Sequence, residues 1–232
     1  MEVMLNKWDA KNSYDKNSGD GSKPAYPSEY MVRIFASSYF SRLAGKSLRP
    51  DMRVIEVGAG FSNQLRFFLD RGLDGVAVDV NPEMCKLAKT SLEAFGYPNA
   101  QVIEGTNDCI PVADGEFDIL LSMRALHYQR NEEEIHAALK EFNRALKVGG
   151  ICFIQTTGPK DEFRATATKH APLSWRVNDY NFRSGDDHGF FDDEDHLNSV
   201  CSKYFSAVEI GRLTEVYPSG AHMDHLIAVC RK

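Results

Sequence analysis

The chain has 232 residues, 43% of them hydrophobic and 26% charged, with a formal net charge of -6. That length suits one α/β domain with a full core, or one domain with an elaborated cap. The acidic balance argues against broad phosphate-mediated binding, so no nucleic-acid partner is expected.

In chain order, residues 11–23 are rich in Asn, Ser, Gly, Asp and Lys and cannot supply core, with Trp8, Tyr14 and Tyr26 as aromatic exceptions nearby. A helix is predicted from Ser28 as cap, with Tyr30, Ile34, Phe35, Ser38 and Tyr39 at helical spacing up to Gly45. Strands and helices then alternate: strand 52–57, helix 62–71, strand 74–80, helix 82–95, strand 100–104, strand 117–122, helix 131–146 and strand 150–156. Asn81-Pro82 marks a sharp helix entry. Repeated βα units imply a parallel, doubly wound sheet with helices on both faces. The alternation fails at residues 159–191, which read as irregular. A helix over 192–204, with Asp192 as its cap, and strands over 206–213 and 224–231 complete the chain. Two strands in succession imply an antiparallel ending.

This reading divides the chain into an N-terminal lid and helix (1–45), a cofactor-binding core (46–158), a substrate-cap insertion (159–191), and a helix with a strand pair (192–232) that completes the same domain. The five cysteines are scattered with no C-x-x-C pair. The first residues lack a basic-then-apolar leader pattern, and no apolar run is long enough to span a membrane. A cytoplasmic location with reduced thiols is expected.

The most informative stretch is Arg53-Val-Ile-Glu-Val-Gly-Ala-Gly-Phe61, a buried strand that breaks into a glycine loop. Gly58 and Gly60 permit backbone approaches that a Cβ would block. Asp79 ends the second strand, where a carboxylate can accept two hydrogen bonds from a ribose diol. Asn63 stands where G-x-G-x-x-G would place its third glycine. These two features fit both NAD and S-adenosylmethionine. An NAD-dependent oxidoreductase is thus one alternative, although no Tyr-x-x-x-Lys pair supports it. A cofactor-binding protein without catalysis is another.

Three further segments form an ordered series with the glycine loop: Glu104-Gly-Thr-Asn-Asp-Cys-Ile-Pro111, Ala113-Asp-Gly-Glu-Phe-Asp-Ile-Leu-Leu-Ser122 and Glu141-Phe-Asn-Arg-Ala-Leu-Lys-Val-Gly-Gly150. Over residues 50–157 the series resembles the class I S-adenosylmethionine-dependent methyltransferases. Thr106 stands where that family often has an adenine-binding Asp, and Val148 where it often has Pro. The resemblance implies a Rossmann-like sheet of seven strands in the order 3-2-1-4-5-7-6, the last reversed, with S-adenosyl-L-methionine as cofactor. It also implies that Gly58, Ala59 and Gly60 pass under the methionine part and Glu56 sits near its amino group. Asp79 would hold the ribose, Val80 and Met84 flank the adenine, Thr106 or Asn107 meet the adenine edge, and Ser122 offer its carbonyl to the amino group. Tyr14 and Arg33, from the segment before the sheet, are further cofactor candidates.

Ser122-Met-Arg-Ala-Leu-His-Tyr128 is not the Asn/Asp-Pro-Pro-Tyr loop of nucleobase amino-methyltransferases, so a small-molecule acceptor is expected, methylated on oxygen or nitrogen. His127 is the candidate general base, or else a group that orients the substrate. Tyr26, Tyr128, Trp175, Tyr180 and His188 are candidate substrate-wall residues. The stretches Tyr26-Pro-Ser-Glu-Tyr30 and Ser202 to Arg212 resemble a bacterial branch of uncharacterised or sugar- and capsule-modifying methyltransferases, which makes a sugar or cell-surface polysaccharide precursor one candidate acceptor. The His and Asp residues of the last third match no metal-ligand spacing, and no metal is expected.

Overall fold

The structure is a computed structural model that describes residues 26–179 and 184–232. Its first helices are α1 (Glu29–Ala36) and α2 (Ser38–Ala44). The sequence predicts one helix here, but Ser37 adopts an extended backbone and its hydroxyl accepts from the Tyr39 N–H at 3.2 Å, restarting the helix. The break lets Met31 and Phe35 on one segment and Phe40 and Leu43 on the next all reach the same core.

The alternating region folds as β1 (Arg53–Val57), α3 (Asn63–Leu69), β2 (Asp74–Asp79), α4 (Pro82–Ala94), β3 (Gln101–Glu104), β4 (Phe117–Met123), α5 (Glu132–Ala145) and β5 (Leu146–Thr157). Asn81 caps α4 as its position suggests, accepting from the N–H groups of Glu83 (2.9 Å) and Met84 (3.3 Å). Residues 159–191 are more regular than the sequence implies. They contain α6 (Glu162–Ala165) and a separate antiparallel sheet of β6 (Ala167–Ala171), β7 (Ser174–Val177) and β8 (Asp187–His188). These strands are too short for a hydrophobic alternation to register. A paired Arg176–Asp187 contact (2.6 and 2.8 Å) ties β7 to β8.

The chain ends with α7 (Glu194–Cys201), β9 (Ala207–Val216) and β10 (His222–Arg231). Asp193, not Asp192, caps α7 by accepting from His196 N–H at 2.8 Å; Asp192 pairs instead with Lys169 at 2.6 Å.

The main sheet has seven strands in the order β3-β2-β1-β4-β5-β10-β9. The first five run parallel, and β10 pairs antiparallel with both β5 and β9. With β9 and β10 counted as the sixth and seventh strands, this is the predicted 3-2-1-4-5-7-6 order. Successive strand residues point to opposite faces, so each strand feeds two cores. Ile55, Leu120, Ile154 and Leu226 meet Ile135, Leu139 and Phe142 of α5 on one face. On the other, Val54, Leu121, Phe153 and Ile227 meet Phe35, Phe40, Leu65 and Phe68. No helix among the described residues is long and apolar enough to cross a membrane.

Candidate active site

The carboxyl ends of β1, β2 and β4 converge at one edge of the sheet, the usual position of a ligand crevice in an open α/β fold. After β1 the chain winds tightly: Gly58, Gly60 and Ser62 have φ of 70, 53 and 58°. Gly58 and Ala59 both donate their N–H to the Val78 carbonyl at 2.9 Å, which locks the loop to β2. A Cβ on Gly58 would stand 2.4 Å from the Cβ of Ala125, so the loop after β4 approaches too closely for any side chain there. Ser62 is fully buried, and its Oγ lacks a hydrogen-bond partner among the described residues.

Two carboxylates hold this loop and the helix that follows it. Asp79 accepts from Gly60 N–H through one oxygen and from Asn81 N–H through the other, both at 3.0 Å. Burial raises its pKa, opposed by the hydrogen bonds from Asn81, Gly60 and Val80. Glu56 is 2% exposed and accepts from Leu65 N–H at 2.9 Å, capping a helix that has no side-chain cap of its own. Burial pushes its pKa up to about 8, with the hydrogen bond from Leu65 opposing and the charge of Asp79 adding to the rise. Its carboxyl is therefore protonated at neutral pH and ready to ionise beside a cation.

The expected adenine side is partly assembled. Val80 is 49% exposed, an apolar surface open to a flat ligand. Met84 is fully buried and packs with Phe61 beneath that surface. The Thr106 hydroxyl donates to Asp108 at 2.6 Å. The Asn107 amide nitrogen donates to the Ala125 carbonyl (3.2 Å) and Gln129 Oε1 (3.1 Å), stitching the loop after β3 to the loop after β4. Ser122 is fully buried at the end of β4.

His127 lies in a 3-10 turn (Leu126–Tyr128) after β4 and is 3% exposed. Its ring packs against Tyr128, Phe163, His188 and Phe190 at centroid distances of 4.4 to 6.4 Å. His188 Nδ1 donates to the His127 carbonyl at 3.1 Å, and Gly189 N–H donates to the same oxygen at 3.0 Å. The segment 187–190 thus clamps the turn. Phe163 and Phe190, which sequence reasoning did not single out, form half of this ring cluster; nothing in an irregular segment marks them. Trp175 is held between Arg164, at 4.2 Å, and Phe190, at 6.3 Å.

Some expected residues fall elsewhere. Arg33 is on the solvent face of α1, opposite the buried Met31 and Phe35, and pairs with Glu29 at 2.6 Å. Tyr26 is 82% exposed. Tyr14 and Tyr180 lie outside the described residues.

A parallel sheet with one reversed strand, β10, next to its edge, a glycine loop after β1 and an acidic residue ending β2 are the features of the fold shared by class I methyltransferases, a family whose cofactor is S-adenosylmethionine. Residues 55–154 match the family model described as a methyltransferase domain. The ubiquinone/menaquinone biosynthesis C-methyltransferase UbiE of Shewanella oneidensis is 30% identical over 139 residues, covering 57% of this chain and 53% of the relative. The uncharacterised methyltransferase YcgJ of Bacillus subtilis is 28% identical over 114 residues, covering 49% and 44%. The chain thus spans about half the length of these curated relatives. An S-adenosylmethionine-dependent methyltransferase structure from Methanosarcina mazei shares the fold, with a TM-score of 0.65 at 17% identity over 80% of this chain and 94% of the other.

The Gly58–Ala125 approach makes a direct test of the loop. Gly58→Ala is expected to cost about 1–3 kcal/mol through strain at positive φ and the steric clash. Chemical unfolding reads that loss. A calorimetric titration with S-adenosylhomocysteine should show at least about tenfold weaker binding, because the loop must shift to admit the methyl group.

Proposed function

We propose that this chain transfers the methyl group of S-adenosylmethionine to an oxygen or nitrogen of a small-molecule acceptor. The braced glycine loop carries this reading: Asp79 holds the loop at Gly60 and Glu56 holds the start of the following helix at Leu65, so two acceptor groups stand beside it. The cofactor, when bound, supplies an electrophilic methyl on a sulfonium. Gly58, Ala59 and Gly60 would cradle its methionine part, with Glu56 ionised near the amino group and Ser122 offering a carbonyl. Asp79 would hold the ribose diol. Val80, above the buried Met84, would cover the adenine, whose edge would meet Thr106 or Asn107.

Methyl transfer is mostly a matter of positioning, so excluding water and aligning the acceptor contribute most. Segment 159–191 would serve as the acceptor's cap, with Tyr128, Trp175 and His188 in its wall and Tyr26 at the entrance. Clamped between the β4 turn and that cap, His127 suits an orienting role or a proton acceptor for a group held against the ring cluster. The resemblance of segments 26–30 and 202–212 to sugar-modifying enzymes supports a sugar acceptor. The name of the Shewanella relative gives a second reading, in which carbon receives the methyl.

Isothermal titration calorimetry tests the cofactor. S-adenosylhomocysteine should bind and NAD should not; the reverse result would remove the methyltransferase reading in favour of a dehydrogenase. Turnover of an acceptor excludes a purely binding role. A 13C-methyl cofactor then separates the readings, since O-, N- and C-methyl carbons resonate in different regions.

A further inference from the structure

Next to the glycine loop, the side chains of Arg124, Gln155 and His225 each leave a polar group without a hydrogen bond among the described residues, although the Arg124 charge also acts on Asp161. Arg124 follows β4 directly. Its φ of 59° is costly for a long side chain, and such strain persists where the surroundings impose it. Here the constraint is its own backbone N–H, which donates to the Gln155 carbonyl at 2.7 Å. Its guanidinium is exposed and makes no ion pair or hydrogen bond among the described residues. This contrasts with Arg53, Arg144, Arg176 and Arg212, each of which pairs with a carboxylate.

Behind Arg124 are two buried groups that lack partners. Gln155 is 4% exposed and its Oε1 is buried with no donor among the described residues; His225 is 4% exposed and its Nδ1 is likewise buried without a partner among them. Register puts both on one face. Gln155 pairs with Met123 on one side and Ile227 on the other, and His225, two residues from Ile227, pairs with Thr157. This is also the face of Val54 and hence of Glu56, two residues along β1. Gln155 and His225 therefore share the face of Glu56, and Arg124 lies between Met123 of β4 and Ala125, which packs against Gly58. Arg124 is close enough to act on His225: burial, then the Arg124 charge, lower its pKa to about 4, against the opposing charge of Asp224. A buried polar atom without a partner is destabilising, so two of them on one face at diagonal positions favour a ligand that satisfies them.

We propose that Arg124, Gln155 and His225 form an acceptor subsite that holds a carboxylate or phosphate of the methyl acceptor on Arg124 and a neighbouring hydroxyl or amine on Gln155 and His225. The subsite rests on the methyltransferase reading and adds a substrate class to it: a small anionic acceptor with hydrogen-bond donors next to the charge. A guanidinium suits this task because its fork matches planar or tetrahedral oxyanions. Gln155 accepts at Oε1 and can donate from its amide, so it can read a hydroxyl in either direction.

The experiment titrates inorganic phosphate, and separately glycolate, into the protein saturated with S-adenosylhomocysteine, following the side-chain amide of Gln155 by NMR. One of the two anions should saturate and shift that signal, and which one does so identifies the anion type. Arg124→Asn, a residue that tolerates positive φ, should weaken that anion by about tenfold or more, and Arg124→Lys by less. Both variants should bind S-adenosylhomocysteine within about twofold of the parent, because the proposal gives Arg124 no cofactor contact. Anion binding unchanged in Arg124→Asn, or absent from the parent, overturns the subsite. So does a tenfold loss of S-adenosylhomocysteine affinity, which would assign Arg124 to the cofactor's own carboxylate. If the parent fails to bind S-adenosylhomocysteine at all, it is the methyltransferase reading that falls.

Discussion

Asp224→Ala is expected to destabilise the fold by about 3 kcal/mol, the scale of breaking a buried ion pair, and to raise the unfolded fraction visibly in urea titration. The Asp224 side chain is fully buried. It accepts two hydrogen bonds from Arg212 and one from the Thr214 hydroxyl, all at 2.7 Å, and one from Lys160 N–H at 2.8 Å. Removing it orphans every one of these donors. Arg212 is only a quarter exposed and keeps Glu194 at 2.9 Å, which holds the loss to the lower end of that scale. The same carboxylate fixes where segment 159–191 leaves the sheet: Gly158 packs so closely that a Cβ there would sit 2.4 Å from Asp224 Oδ2. Asp224→Ala should therefore also open that segment to limited proteolysis. Burial favours protonation of Asp224, but the bonds from Arg212, Lys160 and Thr214 prevail and lower its pKa. The stabilisation is accordingly complete above the ordinary carboxylate range and is lost as pH falls through the lowered value.

Glu56→Gln should have the opposite effect on stability. Below about 4.5 the Glu56 carboxyl is protonated in both the folded and unfolded chains, and burial carries no ionisation penalty. As pH rises from 4.5 to about 8, the unfolded chain loses the proton while the folded chain keeps it, so stability declines. The decline is about 1.4 kcal/mol per pH unit, or about 3 kcal/mol at pH 7. Glutamine keeps an acceptor for Leu65 N–H and carries no such penalty. The variant should match the parent near pH 4.5 and exceed it by about 2–3 kcal/mol at pH 7, a rise in melting temperature of about 5–10 °C. An equal gain at both pH values would show that the proton is not on Glu56. The cost of keeping Glu56 is explained if it ionises against the cofactor's ammonium. Calorimetry in buffers of different ionisation enthalpy should then show close to one proton released when S-adenosylhomocysteine binds at pH 7, and none in Glu56→Gln.

Much of the sheet edge around the glycine loop was legible in the sequence because backbone chemistry restricts it to few residue types. A strand that must turn sharply under a ligand needs glycine, so Gly58 and Gly60 were visible. Asp79 could be found because its place at the end of β2 follows from counting along one strand and helix. The Arg33–Glu29 pair was not legible as such, because helical spacing shows which face is apolar but not which partner an exposed cation takes. Residues 159–191 looked irregular because their three strands are only two to five residues long. They are held by side-chain pairs across the strands, which leave no periodic trace.

By itself the sequence determined the alternation of strands and helices over residues 52–156, the two successive strands that end the chain and the position of the glycine loop, because all of these follow from local propensity and from hydrophobic period. Only the tertiary structure decided which polar groups share a face. Gln155 and His225 read as ordinary strand residues, and Arg124 as a loop cation. They become neighbours because β5 and β10 pair antiparallel in one register, and because a single hydrogen bond to β5 holds Arg124 at positive φ. Contacts between strands some seventy residues apart depend on register and side-chain direction, and no local pattern encodes either.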